Sequence, residues 1–393
     1  MTDDIPEQLK TIDQGVLTDV VRKDQNDPEL VIENWTVASL GYEKIIDTTG
    51  GLFCFSGESQ GTKGFQPWKV VMKWINNPKE PDEDPRVWYY WQREILAFQS
   101  GFLEQLPPGV RAPRFYGTTE NDDGGVWLWM EHIQETTGKH WSLEDFRRAA
   151  HSLGKSQGKY LVGTPLIDHP WLTRAFFRNA WDKQGWWSEF MNPSSTENAW
   201  QSPVTQRGFD DKQKLRVLQL LDEKEYFFDA NYRLPQVLCH NDASRKNFMW
   251  SRSAQTGEEE LVGIDWAFSG IGALGNDLGQ LVGTSLFFFE YDPMKAETLE
   301  AAQLEGYLAG LADNDIQIDP RLVRLAYLIS LSFWMGVMLP GWTAVMLAPE
   351  SKFNVQVMFG YDAETVLEGW VRINEFCLSR ADEARVLIQK LGL

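Results

Sequence analysis

The sequence predicts a two-lobed α+β protein, with a small antiparallel-sheet lobe first and a larger, mainly helical lobe after it. Three observations carry that expectation. Between Trp35 and Glu131 the apolar residues come in short runs broken by turn-forming residues; beyond Glu131 they recur at helical spacing; and two brief apolar runs inside the helical part each end in a polar cluster. At 393 residues, and about 150 residues per domain, about two to three units are expected.

Residues 1–34 are acidic with few aromatics and read as a leading arm or helix. Trp35 to Ile46, Leu52 to Ser56 and Trp68 to Ile75 read as an antiparallel meander, with Thr48-Thr49-Gly50-Gly51 turning its first hairpin. Val87 to Phe102 has helical spacing: Trp88, Trp91, Ile95 and Phe98 share a stripe, and Arg93 and Glu94 are expected on the surface. Val126 to Met130 adds a strand and completes a first lobe of residues 35–131. The second lobe, 132–393, is expected to hold helices near 142–162, 211–231, 277–289, 294–312, 320–339 and 362–391. The runs Gln236 to His240 and Glu260 to Asp265 interrupt them as strands that present polar residues at one edge. Leu325 to Pro349 carries no charge and is long enough to cross a bilayer. Pro340-Gly341 is expected to end the helix there and split the run into buried segments.

Composition narrows the function. Lys and Arg total 37 against 56 Asp and Glu, a net charge of −19, so the surface repels nucleic-acid phosphates and anionic lipid; the same acidity reads first as a solvated surface and second as an attraction for a cationic substrate. Cys54, Cys239 and Cys377 lie far apart with no CxxC, which spells neither a disulfide framework nor a zinc site. The N-terminus, MTDDIPEQLK, has no basic and apolar run of the kind a secretory signal requires. A cytoplasmic protein with no nucleic-acid or membrane partner is expected. Its oligomeric state is not written in these features.

The chemistry concentrates in Cys239-His240-Asn241-Asp242-Ala243-Ser244-Arg245-Lys246-Asn247 and, one apolar run later, Ile264-Asp265-Trp266. Singly, Asp242 and Asn247 read as loop caps and Asp265 as a strand-end turn residue. Jointly, an Asp, an Asn five positions on and a second Asp can converge on one phosphate-bearing metal site. Magnesium takes hard oxygen ligands and retains water, so two side-chain oxygens plus substrate phosphates suffice, and the first Asp stays free to orient or deprotonate a nucleophile.

On His240-x-Asp242-x4-Asn247 and Ile264-Asp265-Trp266, the sequence resembles the aminoglycoside phosphotransferase-like group of small-molecule kinases within the protein-kinase-like fold, over about residues 35 to 290. The resemblance implies a bilobal fold, ATP or GTP as co-substrate, Mg2+ as cofactor and a small-molecule hydroxyl as acceptor, aminoglycoside-like, amino-alcohol or sugar-containing. It implies Asp242 as the catalytic residue and Asn247 and Asp265 as metal ligands. Lys73, ending Val70-Val71-Met72-Lys73, matches the lysine that contacts nucleotide phosphates, and Glu94 matches its carboxylate partner. Glu131 and Ile133 match the hinge that holds adenine through its backbone. Thr49, Gly50 and Gly51 are the first candidate for the phosphate-covering loop; Gly57, Gly61 and Gly64 are the second, and neither is a GxGxxG. Asp277 is placed as a helix cap, and the family's matching aspartate braces the catalytic loop. Only eleven residues separate Asp265 from Asp277, too few for a protein-kinase activation segment, which argues against a protein substrate. The aromatics between Trp171 and Trp200 read as core or as a substrate wall, and Glu290 and Asp292 as an entrance for amines or a solvated helix end. The rival function is a kinase-fold protein that binds nucleotide or ligand without efficient transfer.

Overall fold

The computed structural model describes residues 5–41, 48–78, 84–121, 123–138, 140–182 and 197–393. The leading residues form α1 (Glu7–Lys10) and α2 (Gln14–Gln25), the second started by Asp13, whose carboxylate accepts from the Gly15 and Val16 amides. The small lobe continues with strands β1 (Val31–Ser39), β2 (Thr49–Gly61), β3 (Gly64–Ile75), β4 (Val110–Arg111), β5 (Phe115–Glu120) and β6 (Val126–Glu131). Five of them make an antiparallel sheet in the order β1-β2-β3-β6-β5. Strand β1 begins at Val31, so the leading segment runs straight into the sheet. Alternation sorts the sheet's two faces. Phe55, Trp68, Met72 and Trp129 point outward and pack beneath Leu9, Leu17, Val20 and Val21 of the two leading helices. Each large side chain buried there stabilises by roughly 1.5–3 kcal/mol. The opposite face carries Lys73, and it looks into the cleft.

Two expected elements of this lobe differ. Thr49, Gly50 and Gly51 already belong to β2, with a register shift between Thr49 and Gly51, so the β1–β2 connection spans residues 40–48. Only part of it lies among the described residues. The helix expected over Val87–Phe102 shrinks to α3 (Arg93–Gln99). Arg93 and Glu94, placed on the surface by the sequence pattern, are 0% and 2% exposed. Residues 85–88 are drawn into turns because the carbonyls of Pro85, Val87 and Trp88 bond the buried Arg93 side chain.

In the large lobe, α4 (Leu143–Gly158) starts with a reciprocal Ser142–Asp145 capping box. It lies against the helix Ala296–Ala312 at backbone contact, because Gly154, Gly306 and Gly310 face the other helix. A Cβ on Gly310 would come 2.0 Å from the His151 carbonyl oxygen. The helix expected near 211–231 is two, Asp211–Asp222 and Lys224–Arg233. Strand β7 (Gln236–Cys239) pairs with β10 (Gly270–Ala273), and β8 (Phe248–Arg252) with β9 (Glu259–Gly263). Strand β4 joins the latter pair in parallel, Arg111 opposite Val262, so the two lobes share a sheet at the base of the cleft.

The apolar run does not break at Pro340-Gly341. Helix Pro320–Leu331 passes through a π-helical stretch, Ser332–Val337, into helix Met338–Met346 with Pro340 inside it. A π turn re-pairs the backbone just before the proline, where a regular helix would lose a hydrogen bond and clash. By length and composition Pro320–Met346 could cross a membrane, but 89% of its most apolar window is buried inside the protein.

Candidate active site

The cleft-facing side of β3 carries Lys73, paired with Leu52 on β2 and Leu128 on β6. Its Nζ lies 2.6 Å from Glu94 Oε2 and 2.7 Å from Asp265 Oδ1. The lysine and Glu94 are both buried. Burial works against the charge on Lys73, but Asp265 and Glu94 outweigh it and raise its pKa. Burial likewise opposes the charge on Asp265, yet Lys73 holds its carboxyl below the usual range. An ammonium has three donors, so one remains for a further oxygen after these two partners are met. The other Glu94 oxygen accepts the Trp266 amide at 3.2 Å, tying α3 to the residue after Asp265.

Asp242 and Asn247 meet in the loop that follows β7. The Asn247 amide nitrogen donates to the Asp242 carbonyl at 3.0 Å and to Asp242 Oδ2 at 2.8 Å. This spends the nitrogen of Asn247 and one carboxylate oxygen of Asp242. The amide oxygen of Asn247 makes no hydrogen bond among the described residues, and it is the hard donor a divalent cation requires. The pKa of Asp242 is pushed up to about 8, first by burial and then by the negative charge of Asp265. Among the described residues no three His, Cys, Asp or Glu side chains form a closed metal cage. The Asn247 amide oxygen and the Asp265 carboxylate are hard oxygen donors of the kind that would suit a cation completed by phosphate oxygens and water, as magnesium is.

The loop is held from beneath by the helix Asn276–Phe287, buried along its whole length. Asp277 does not cap that helix; Gly275 occupies the cap position. Its carboxylate instead accepts the His240 and Asn241 amides, each at 2.9 Å, and Gln157 of α4 at 2.8 Å. Gln280 accepts the Ala243 amide at 3.1 Å and donates to the Asn241 carbonyl at 3.0 Å, and the Thr284 hydroxyl donates to the Ala243 carbonyl at 3.3 Å. Gln157, Gln280 and Thr284 were not singled out in the sequence. The available signal was a polar stripe at 277, 280 and 284 on a mostly apolar helix. His240 bonds the Ile264 carbonyl through Nε2 at 2.8 Å, and its ring packs on Trp266. Burial lowers its pKa and keeps it neutral, as a loop support should be. Asn241 and Asp265 both sit at φ 60°, left-handed backbone that short polar side chains tolerate best.

The remaining assignments sort by position. Thr49, Gly50 and Gly51 lie at the Lys73 end of the sheet, whereas Gly61 and Gly64 flank the hairpin at its other end, so of the two candidates the first is the nearer to that lysine along the ladder. Glu131 turns its carboxylate to Arg111 at 2.7 Å and its amide to the Arg114 carbonyl, and it ends the strand that pairs with β3, so the backbone through Ile133 leads out of the sheet. Val71 and Cys54 lie on the Lys73 face of the sheet. A concavity of about 600 Å³ continues this face past Ser56 and Lys69 to His132 and Gln134, and it contains none of the polar site residues. Trp171, Phe176, Phe177, Trp181 and Trp200 are buried core residues, not a substrate wall. Trp186 and Trp187 lie outside the described residues. Asp292 caps the turn beginning at Pro293, whereas Glu290 lies within electrostatic reach of Lys246 and Arg245 in the 240–247 loop. One Glu290 carboxylate oxygen is buried without a hydrogen-bond partner, and burial pushes its pKa up to about 7 against the pull of Lys246 and Arg245.

A small antiparallel sheet over a helical lobe, with a lysine–glutamate pair above and an Asp–Asn loop and second Asp below, defines the protein-kinase-like fold in its small-molecule kinase form. The phosphotransferase enzyme family, APH, matches residues 89–312, more than half of the chain, and the chain belongs to that family. Among solved structures, it is similar at 12% identity and a TM-score of 0.51 to a microcompartment-associated aminopropanol kinase, covering 93% of this chain and 98% of that one. The amicoumacin kinase hAmiN, solved with AMP-PNP, Ca2+ and Ami, aligns at 13% identity and a TM-score of 0.47, covering 95% and 96%. Aminoglycoside phosphotransferase APH(3'')-Id from Streptomyces rimosus aligns at 16% and 0.40, covering 82% and 98%. No curated protein sequence matches the chain.

Proposed function

We propose that this protein transfers the γ-phosphate of ATP or GTP to a hydroxyl of a small molecule, cationic amino alcohols and sugars included. The observation that carries this reading is the convergence of Lys73, Glu94 and Asp265 on one side with Asp242 and Asn247 on the other. Lys73, fixed by Glu94, has one donor left for a phosphate oxygen. Asp242 keeps one carboxylate oxygen clear of Asn247; that oxygen orients the acceptor hydroxyl and takes its proton as the hydroxyl oxygen bonds to phosphorus and the bond to the leaving diphosphate breaks. Asn247 and Asp265 would hold Mg2+, which when bound neutralises charge on the phosphates. Positioning and charge neutralisation supply most of the acceleration. The unpartnered oxygen of Glu290 and the net charge of −19 support an acceptor that carries an amine. Three free thiols support a reducing cytoplasm as its compartment.

The test is a mass-spectrometric screen of hydroxylated metabolites and antibiotics with ATP or GTP and Mg2+, read as a phosphate-sized mass gain. Asp242→Asn keeps the shape and removes the base. With the acceptor found, it should lower turnover by about a hundred-fold or more while nucleotide affinity stays within a few-fold. Turnover that survives the substitution would make Asp242 a loop residue and remove this mechanism.

A further inference from the structure

Arg93 is fully buried, and among the described residues no carboxylate bonds it. Its side chain donates to five main-chain carbonyls instead. Nε reaches Trp171 at 2.6 Å; Nη1 reaches Trp88 at 2.6 Å and Ala267 at 3.1 Å; Nη2 reaches Pro85 at 3.0 Å and also Val87. All five donors of the guanidinium are therefore used. The acceptors belong to the turns that lead into α3, to Trp171 of the large lobe, and to Ala267, two residues past Asp265. Glu94 joins the same parts one residue along, through Lys73 and the Trp266 amide. Adjacent residues at the start of α3 thus grip adjacent residues of the segment that follows Asp265.

A lone buried cation is a poor way to stabilise a fold, because desolvation opposes it and an apolar side chain of similar volume usually serves better. Burial accordingly pushes the Arg93 pKa down to about 9. What an apolar residue cannot do is set the distances among separate backbone segments. The planar fork does, and lysine, with three donors and no fixed plane, reproduces only part of it. The short segment from Asp265 to Asp277 leaves no activation loop to order this region, so its geometry has to be built in.

We propose that Arg93 is a positioning residue for phosphoryl transfer, locking α3 and residues 265–267 into one body so that the Lys73–Glu94 pair and Asp265 hold their places. The kinetic consequence rests on the function proposed above; the mechanical one does not.

Hydrogen–deuterium exchange decides the mechanical part. In the unsubstituted protein, under a denaturant titration, the amides of residues 93–99 and 265–269 should open together with one free energy and one denaturant dependence. Arg93→Lys should raise exchange in both segments by about ten-fold or more and leave the helix Asn276–Phe287 unchanged. The kinetic arm expects kcat to fall by about ten-fold or more in Arg93→Lys, half-saturating Mg2+ to rise several-fold and the acceptor KM to stay within about two-fold. Arg93→Met should be more severe. If it fails to fold, the lysine variant and the unsubstituted protein still give the answer. Separate openings of the two segments, or a lysine variant that melts lower yet keeps exchange at 265–269 and its Mg2+ requirement within two-fold, would overturn the proposal. A protein that phosphorylates nothing in the screen removes the proposed function while the exchange measurement still reads Arg93.

Discussion

Four carboxylates lie in or beside the catalytic loop, and their neighbours set them apart. Asp265 is held ionised by Lys73, and Asp277 is spent on three donors. Asp242 is pushed up to about 8 by burial and by Asp265. Glu290 has burial without a bonding partner for one oxygen. Its folded pKa of about 7 stands above the ordinary 4.5, so between those values the native state holds a proton that the unfolded chain has lost. Unfolding free energy then falls as pH rises through that window, by up to about 3 kcal/mol. Glu290→Gln carries no such charge. It should match the unsubstituted protein near pH 5 and melt several degrees higher at pH 8, as thermal unfolding at both values would reveal. A difference independent of pH would mean that the carboxylate finds a partner in solution.

At the scale of elements, the helix Asn276–Phe287 shows how an apolar sequence can carry polar work. Its stripe of Asp277, Gln280 and Thr284 supplies the bonds that the irregular loop 240–243 cannot make to itself. Gln280→Met keeps the volume but strands the Ala243 amide and the Asn241 carbonyl in a dry site. The expected cost is about 2–4 kcal/mol of stability, with a larger loss in kcat than in nucleotide affinity. Chemical denaturation with steady-state kinetics measures both, and an equal loss in kcat and affinity would count against the brace. Asp242, Asn247 and Asp265 could be picked out of the sequence because their spacing is local and their residue types suit phosphate and metal, and the structure sets Asn247 on Asp242 and Asp265 on Lys73. Arg93 could not be picked out, because helical spacing predicts which face is apolar and says nothing about backbone carbonyls arriving from Trp171 and Ala267. Strand β5 was missed for a related reason: Phe115–Glu120 has one large buried residue, Tyr116, and is held as a strand by β6. Pro340 misled because its usual effect assumes a regular helix around it.

Across the whole molecule, what joins the lobes is polar as well as apolar. Arg111, on the strand that enters the large-lobe sheet, bonds Glu131 at the hinge and Glu260 on β9, each at 2.7 Å. Glu131 also accepts the Arg114 amide at 3.0 Å, and Arg114 lies 3.6 Å from Asp24 of α2. This chain runs from the leading helix through the hinge into the strand that precedes Asp265. Its members are partly exposed, so solvent screens it and its contribution to stability is modest. Its greater effect is on geometry, since the backbone that would meet the base follows directly after Glu131. Arg111→Met keeps the aliphatic stem and leaves two carboxylates facing each other. It should cost about 1–2 kcal/mol in stability and weaken metal-free nucleotide binding several-fold, with a smaller change in kcat at saturation. The smaller change follows because the catalytic loop and the Asp265 segment are braced independently, by Asp277 and Arg93. Calorimetric titration of nucleotide without metal, beside saturating kinetics, separates the two effects. A variant with unchanged nucleotide affinity and a collapsed kcat would show that the hinge chain governs the chemistry of the lower lobe rather than the seat of the base.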